Sequence, residues 1–214
     1  MVKVAAAPQA VESMTDRQLA RRRALLEAVM RLAAERGIDK VQMKLVAEYS
    51  GVALGTTYRY FASKEHLLAS ALVDWNSRLT DKVLAEPKRP IPPEDRVDRL
   101  VEFLHRGMRG FQRYPSYADL LLYVSGSRDP YANEALGQMG VRTYRVLRHL
   151  MGGELEDETL ETLSFVVGSV WNSAILSWRS GQHPFSDAYR LCENGARLAC
   201  AGLSREAVGM AGIA

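Results

Sequence analysis

Side chains of types that can bind phosphates and base edges are concentrated between residues 42 and 64 of this 214-residue chain. The hydroxyl-bearing members are Thr56, Thr57, Tyr58 and Tyr60. Hydroxyl groups can contact phosphate oxygens and the base edges of a major groove, and Lys64 after them can contact a phosphate. Gly55 at the start of the segment leaves backbone N–H groups open, which together with a helix dipole favours an anion. These residue types predict contact with duplex nucleic acid.

The segment that positions these groups has the pattern of two short helices joined by a tight turn. Ala47 is small enough for a second helix to approach closely, Gly51 stands where a sharp turn needs positive φ, and Val52 fills the angle between the helices. The pattern predicts a helix-turn-helix. Its second helix is expected to be about two turns long and to expose all four hydroxyl side chains.

The same residues resemble the signature of the tetracycline-repressor (TetR) family of bacterial transcription regulators. The family pattern Gly-Thr-x-Tyr-x-Tyr-Phe-x-x-Lys occurs here from Gly55 to Lys64, and Leu67-Leu68 follow it. The resemblance covers about residues 17 to 72. It implies an all-α protein with an N-terminal three-helix DNA-binding domain and a larger C-terminal helical bundle that binds an effector and forms a dimer.

One position departs from the family pattern, because Gln42 stands where the family usually has Thr. Gln is a poorer helix N-cap than Thr, so we expect its side chain to contact DNA. Lys44 and Lys64 are assigned to phosphates, and Thr57 and Tyr58 to base edges. The predicted DNA-contact residues are Gln42, Lys44, Gly55, Thr56, Thr57, Tyr58, Tyr60 and Lys64.

Charge and cysteine content agree with a DNA-binding chain inside the cell. From Arg17 to Lys64 there are ten Lys or Arg and four Asp or Glu, a net charge of +6, although the whole chain carries only +3. Cys192 and Cys200 fall on one predicted helix, about 12 Å apart, which is too far for a disulfide. We therefore expect a reduced, cytoplasmic protein. No apolar run is long enough to predict a membrane span or a signal peptide.

Capping and breaking residues predict about nine helices and the domain boundaries. Thr15 and Gln18 have the spacing of a capping box that begins the first long helix, and Pro93 suits the first turn of a helix after a proline-rich linker. The predicted division is a disordered tail over residues 1–14, a helix-turn-helix domain over 15–63, an effector-binding and dimerisation domain over 64–204, and a tail over 205–214.

The last two predicted helices are apolar over much of their circumference. A helix of this kind must bury two faces, so we expect the pair to pack against its copy in a homodimer. Two copies of one DNA-binding domain would match a palindromic operator.

The second domain also has more apolar helical faces than a dimer interface needs, with aromatic rings and small residues between them. This predicts a hydrophobic small-molecule effector that releases the protein from DNA. The residues predicted to line its site are Phe103, Met108, Tyr123, Tyr144, Trp171 and Trp178. Apolar residues at helical spacing more often form core, so a dimeric DNA-binding protein without an effector stays open as an alternative.

A second resemblance bears on the effector. In the second domain the motifs that carry it are Val166-x-x-x-Val170-Trp171, Leu176-x-Trp178, Arg190-Leu191 and Arg197-Leu198. In the first domain they are Val41-Gln42-Met43, Tyr58-Arg59-Tyr60-Phe61 and His66-Leu67-Leu68-Ala69-Ser70-Ala71-Leu72. They are similar to actinobacterial repressors of cholesterol catabolism within the TetR family. The resemblance implies an effector such as a steroid acyl-coenzyme A thioester.

Sequence patterns of enzymes are missing. The chain has no Gly-x-Ser-x-Gly elbow, no glycine-rich phosphate loop and no dinucleotide fingerprint. Its four histidines lie far apart, without cysteine or carboxylate partners at metal-ligand spacing. We therefore expect no catalysis, no metal and no cofactor.

Overall fold

The computed structural model describes residues 7–86, 91–153 and 155–209, and the side chains of these residues as far as residue 203. All regular structure in these ranges is helical, which confirms the predicted all-α class. Nine α-helices are found there, in agreement with the predicted number. They are α1 (Asp16–Arg36), α2 (Met43–Ser50), α3 (Leu54–Tyr60), α4 (Lys64–Leu84), α5 (Pro93–Arg113), α6 (Pro115–Ser125), α7 (Pro130–Leu150), α8 (Asp157–Arg179) and α9 (Phe185–Gly209).

Local signals set several helix ends as predicted. The Thr15 hydroxyl accepts from the Gln18 backbone N–H, and the Gln18 side chain accepts from the Thr15 N–H at 2.8 Å, so the capping box is formed. Gly51 ends α2 with φ +68°, in the left-handed region that favours glycine. Pro93 is the first residue of α5, where its missing N–H costs nothing.

The chain forms two compact units. The first contains Met1–Ser77 and Tyr114–Met139, and the second contains Arg78–Arg113 and Gly140–Ala214. The chain passes from one unit to the other at three points, which lie within α4, between α5 and α6, and within α7. The predicted functional boundary between residues 63 and 64 therefore does not coincide with a boundary of packing, because α6 contacts α1 and belongs to the first unit.

In the second unit, α8 and α9 approach each other closely. A Cβ atom at Gly195 of α9 would lie 2.5 Å from Cγ1 of Val170 in α8, so glycine permits this contact. Cys192 and Cys200 on α9 are both buried free thiols, as the predicted distance between them requires. Burial raises the pKa of Cys192 to about 12.

Over the described residues, no helix is both long and apolar enough to cross a membrane.

The N-terminal segment differs from the predicted disordered tail. Residues 7–14 include a 3₁₀ helix over Val11–Ser13, and the Gln9 backbone N–H donates to the Arg59 carbonyl at 3.0 Å. This contact joins residues fifty positions apart, which local sequence patterns do not reveal. At the other end, α9 continues through Gly209, beyond the predicted limit at 204. Residues 1–6, 87–90 of the proline-rich linker, 154 and 210–214 lie outside the described residues.

Candidate nucleic-acid interface and effector residues

The turn between α2 and α3 is held by short backbone and side-chain contacts. The Val52 N–H donates to the Ala47 carbonyl at 3.2 Å, and the Ser50 hydroxyl donates to the same carbonyl at 3.1 Å. Ala47 and Val52 are both buried, so the small residue and the plug between the helices lie where the sequence predicts them. The pair α2–α3 is therefore a helix-turn-helix.

An outward surface on this motif carries several of the predicted DNA-contact residues. Gln42, Lys44 and Gly55 are exposed, Thr56 is half-buried, and the Tyr58 side chain is 48% exposed. Gln42 is the N-cap residue of α2 but makes no side-chain capping bond, which leaves its amide available for another partner. We call these five residues the outer face.

The predicted exposure of Thr57 and Tyr60 is wrong. Thr57 is 0% exposed and Tyr60 is 2% exposed. The Thr57 hydroxyl donates to the Ala53 carbonyl four residues earlier, at 3.3 Å. With 3.6 residues per turn, these two positions lie on one side of α3, and that side packs inward; Phe61, which follows the helix, is buried as well. Neither hydroxyl is presented to a DNA groove in this structure.

Arg59 is an exposed basic residue of α3 that was missing from the predicted contact set. Its guanidinium donates to the Gln9 side-chain oxygen at 3.1 Å. It occupies a variable position of the family signature, so the motif alone gives no signal for it. Its positive charge next to Tyr58 is the feature that points to it.

Lys64 and Tyr123 lie together in the first unit. The Lys64 ammonium is 5.1 Å from the centre of the Tyr123 ring, and the Tyr123 hydroxyl donates to Oε1 of Glu65 at 3.2 Å. Burial, and then the neighbouring Glu65 carboxylate, raise the pKa of Tyr123. Tyr123 thus connects α6 to the start of α4. Its hydroxyl group already has a hydrogen-bond partner within the protein and does not require a ligand.

His66 lies in the first turn of α4, directly after the helix-turn-helix, and its ring is neutral at pH 7. Its Nδ1 accepts from the Ala62 backbone N–H at 3.2 Å, so the ring proton of the neutral form is on Nε2. The ring packs edge-on to Phe61 and stacks on Tyr131. Burial, and then the positive charge of Arg22, lower the pKa of His66 to about 4.

Three of the predicted effector residues lie on α5 and α8 in the second unit. Phe103 and Met108 of α5 are buried. Trp171 of α8 packs against α5. A Cβ atom at Gly107 would lie 2.8 Å from the Trp171 ring, and the centres of the Phe111 and Trp171 rings are 5.2 Å apart. The Trp171 indole N–H is buried and has no hydrogen-bond partner among the described residues. A buried donor of this kind needs an acceptor.

Tyr144 and Trp178 make other contacts. The Tyr144 hydroxyl accepts from the Arg148 guanidinium at 2.6 Å and donates to Asp157 at 3.3 Å, in a polar cluster that joins α7 to α8. The Trp178 ring lies 5.1 Å from the Phe185 ring, where α8 leads into α9. None of these contacts involves the α5 residues that surround Trp171.

The two last helices expose a row of large apolar side chains. Phe165 is 75% exposed on α8, and Leu198 is 74% exposed on α9. Val166, Leu176 and Leu191 are also exposed, and a cleft of about 540 Å³ lies between Val170, Leu176 and Leu191. We call these exposed side chains of α8 and α9, with the cleft between them, the α8–α9 apolar face. Exposed apolar residues on a protein surface are usually scattered singly, whereas a group of this kind is typical of a protein–protein contact.

Comparison with known proteins agrees with this geometry. A family model for "bacterial regulatory proteins, tetR family" matches residues 25–71. The HTH-type transcriptional repressor KstR of Rhodococcus jostii is 31% identical over 173 residues, which cover 81% of this chain and 79% of that protein.

Solved structures with the same fold extend over nearly the whole chain. A TetR transcriptional regulator from Rhodococcus sp. RHA1 has a TM-score of 0.74 and 28% identity, covering 86% of this chain and 97% of that one. Thermus thermophilus FadR, a TetR family repressor in complex with lauroyl-CoA, has a TM-score of 0.64 and 23% identity, covering 84% and 93%. Together with the helix-turn-helix at Gly51, these matches show that the chain belongs to the TetR family of DNA-binding transcriptional regulators.

Proposed function

We propose that the protein is a cytoplasmic homodimeric repressor that binds a palindromic operator and is released from it by a hydrophobic small molecule. The observation that carries the proposal is the outer face of the helix-turn-helix, which presents an unpaired amide, a lysine and a tyrosine around a turn fixed by Gly51. These groups are the ones that bind phosphates and base edges in a major groove.

In this proposal Lys44 and Lys64 contact phosphates, and Gly55 lets the backbone of α3 approach the DNA closely. Gln42, Thr56 and Tyr58 supply the polar groups that reach the bases or the sugar–phosphate chain. Thr57 and Tyr60 support α3 from its buried side.

Replacing Lys44 with Ala should weaken binding to all sequences and reduce the salt dependence by about one phosphate contact.

The α8–α9 apolar face supports a homodimer. Because the row of exposed side chains runs along two adjacent helices, a second copy related by twofold symmetry would cover it in a four-helix contact. The same symmetry would place two helix-turn-helix motifs on one palindromic site.

The Trp171 indole supports an effector site in the second unit. Its N–H lacks a partner, and an effector with an oxygen acceptor, such as a ketone or a thioester carbonyl, would supply one. The same fold holds lauroyl-CoA in the Thermus protein. The sequence also resembles the cholesterol-catabolism branch, so we propose a steroid or acyl-coenzyme A thioester as effector class.

Phe103 and Met108 would line such a site beside Trp171, and the role of Tyr123, Tyr144 and Trp178 as effector contacts stays a prediction. Release follows if the effector favours a conformation with wrongly spaced DNA-binding domains. A 100-fold loss of DNA affinity requires about 2.7 kcal/mol of differential binding.

The test is a thermal-shift screen of fatty acids, steroids and their acyl-coenzyme A thioesters, followed by DNA-release assays on the hits. We expect a stabilising hit that lowers DNA affinity and binds more weakly to Trp171→Phe, which keeps most of the ring but loses the N–H. A hit that stabilises the protein and leaves DNA affinity unchanged would contradict the release mechanism.

The alternative is a dimeric DNA-binding protein without an effector. It is favoured by the tight burial of Phe103 and Met108, which is typical of a packed core. A screen without hits, together with specific DNA binding, would support it.

A further inference from the structure

We infer that Gln9 is a positioning residue for DNA recognition and acts by holding the C-terminal end of α3 through Arg59. The inference rests on the proposed DNA-binding function and adds to it a segment that lies outside the helix-turn-helix.

Two hydrogen bonds join Gln9 to Arg59. The Gln9 backbone N–H donates to the Arg59 carbonyl at 3.0 Å, and the Arg59 guanidinium donates to the Gln9 side-chain oxygen at 3.1 Å. The carbonyls in the last turn of a helix have no partner within the helix. Gln9 therefore satisfies a helix-end carbonyl and fixes the direction of the side chain on the same residue.

Gln9 is itself anchored. Its side-chain amide and that of Gln18 are mutual donors and acceptors, at 3.4 and 3.3 Å, and Gln18 also closes the capping box of α1. Residues 7–12 line a cleft of about 330 Å³ together with Arg22, His66 and Tyr131. The segment is thus bonded to α1 through Gln18 and to α3 through Arg59, and it faces parts of α4 and α7 of the first unit across the cleft.

The length of α3 makes this contact important. With seven residues it has fewer than two turns, and a helix of this length has little stability of its own. Arg59 follows Tyr58 directly, so a shift of the α3 end would also change where Tyr58 points. We expect loss of the Gln9 contact to reduce the preference for operator DNA more than it reduces folding stability.

The first test compares Gln9→Ala, Gln9→Glu and Gln112→Ala in the full chain. Gln9→Ala should lower operator affinity about three- to tenfold, the loss of a hydrogen bond to a charged group at a half-exposed site. Gln9→Glu keeps an acceptor for Arg59 and should retain most of the affinity. Gln112 is an exposed glutamine of α5 in the second unit, so its replacement controls for loss of a surface amide. Unchanged or increased affinity of Gln9→Ala would overturn the inference.

A double-mutant cycle separates positioning from direct contact with DNA. If Gln9 acts through Arg59, Gln9→Ala should have no further effect on affinity in an Arg59→Ala background. Additive effects would show that Gln9 affects DNA affinity independently of Arg59 and would overturn its positioning role.

A measurement without DNA keeps this inference separate from the proposed function. Amide hydrogen exchange should become faster in α3 of Gln9→Ala, while α2 exchanges at the wild-type rate. Unchanged exchange in α3 would overturn the inference even if the wild-type protein binds DNA. Faster exchange in a protein that binds no DNA would instead support the Gln9 contact and reject the proposed function.

Discussion

At the residue scale, Thr57 and Tyr58 are neighbours with opposite environments. Tyr58 is the most exposed aromatic residue of the helix-turn-helix, whereas Thr57 is fully buried with its hydroxyl bonded to the Ala53 carbonyl. Side chains of successive residues in an α-helix point about 100° apart, so the neighbours Thr57 and Tyr58 face different surroundings.

Replacing Tyr58 with Ala should therefore lower the preference for operator over unrelated DNA about tenfold, the usual size of one lost base contact. Thr57→Val keeps the buried volume and should leave that preference unchanged. It should reduce the free energy of unfolding by about 1 kcal/mol through the lost hydrogen bond. Competition binding by fluorescence anisotropy and denaturant unfolding measure the two effects. A change of preference in Thr57→Val, with Tyr58→Ala unchanged, would reverse these assignments.

His66 gives a pH dependence. Its folded-state pKa of about 4 lies below the ordinary value of 6.5, so between these pH values the unfolded chain binds more protons than the folded one. Stability should fall as the pH is lowered from about 6.5 towards 4. The His66→Gln variant should lose less stability than the wild type between pH 7 and pH 5, as measured by denaturant midpoints. Equal losses in both proteins would show that His66 is not the titrating group.

At the element scale, one glycine shapes the turn between α2 and α3, and another is proposed to let α3 approach DNA. Gly51 has φ +68°, while Gly55 has no such strain, and both have open space where a Cβ would stand. Gly51→Ala should destabilise the fold by about 1 kcal/mol, the cost of a left-handed conformation for a residue with a Cβ.

Gly55→Ala is the matched comparison. It should increase stability by a few tenths of a kcal/mol, up to about 1, because alanine has the higher helix propensity. It should nevertheless weaken DNA binding, since the added methyl group separates α3 from the phosphates. Thermal unfolding and DNA titration of the same two variants test both points. Destabilisation by Gly55→Ala would contradict the assigned backbone geometry.

Elements that depend on local signals could be predicted from the sequence. The capping box at Thr15, the positive φ of Gly51 and the start of α5 at Pro93 each follow from residues within one turn. The buried side of α3 could not be predicted in this way, because Thr57 and Tyr60 are covered by residues from other helices. The Gln9–Arg59 contact likewise joins distant parts of the chain.

The positions of the predicted effector residues also depend on contacts between distant parts of the chain. Apolar periodicity identifies Met108 and Trp171 as inward-facing, but only the packing of α8 on α5 brings Trp171 against Gly107. The contacts of Tyr144 with Arg148 and Asp157 are polar and involve a turn, so an apolar stripe does not predict them.

At the scale of the whole molecule, the α8–α9 apolar face should determine the oligomeric state. Phe165→Glu combined with Leu198→Glu would place charges in the proposed contact, where they cannot be hydrated, and should convert a dimer into a monomer. Val141→Glu on α7 removes an exposed apolar residue outside this face and serves as the control. Light scattering after size-exclusion chromatography measures the mass. A double variant that stays dimeric would place the interface elsewhere.

DNA recognition itself can be tested without knowledge of the operator. Purified protein is used to select bound duplexes from a random-sequence library, with Tyr58→Ala and Gln112→Ala selected in parallel. We expect the wild type and Gln112→Ala to enrich the same inverted repeat, its two halves related by twofold symmetry, and Tyr58→Ala to lose this enrichment. Failure of the wild type to enrich any sequence, or enrichment of the same repeat by Tyr58→Ala, would contradict operator recognition through the outer face of α2 and α3.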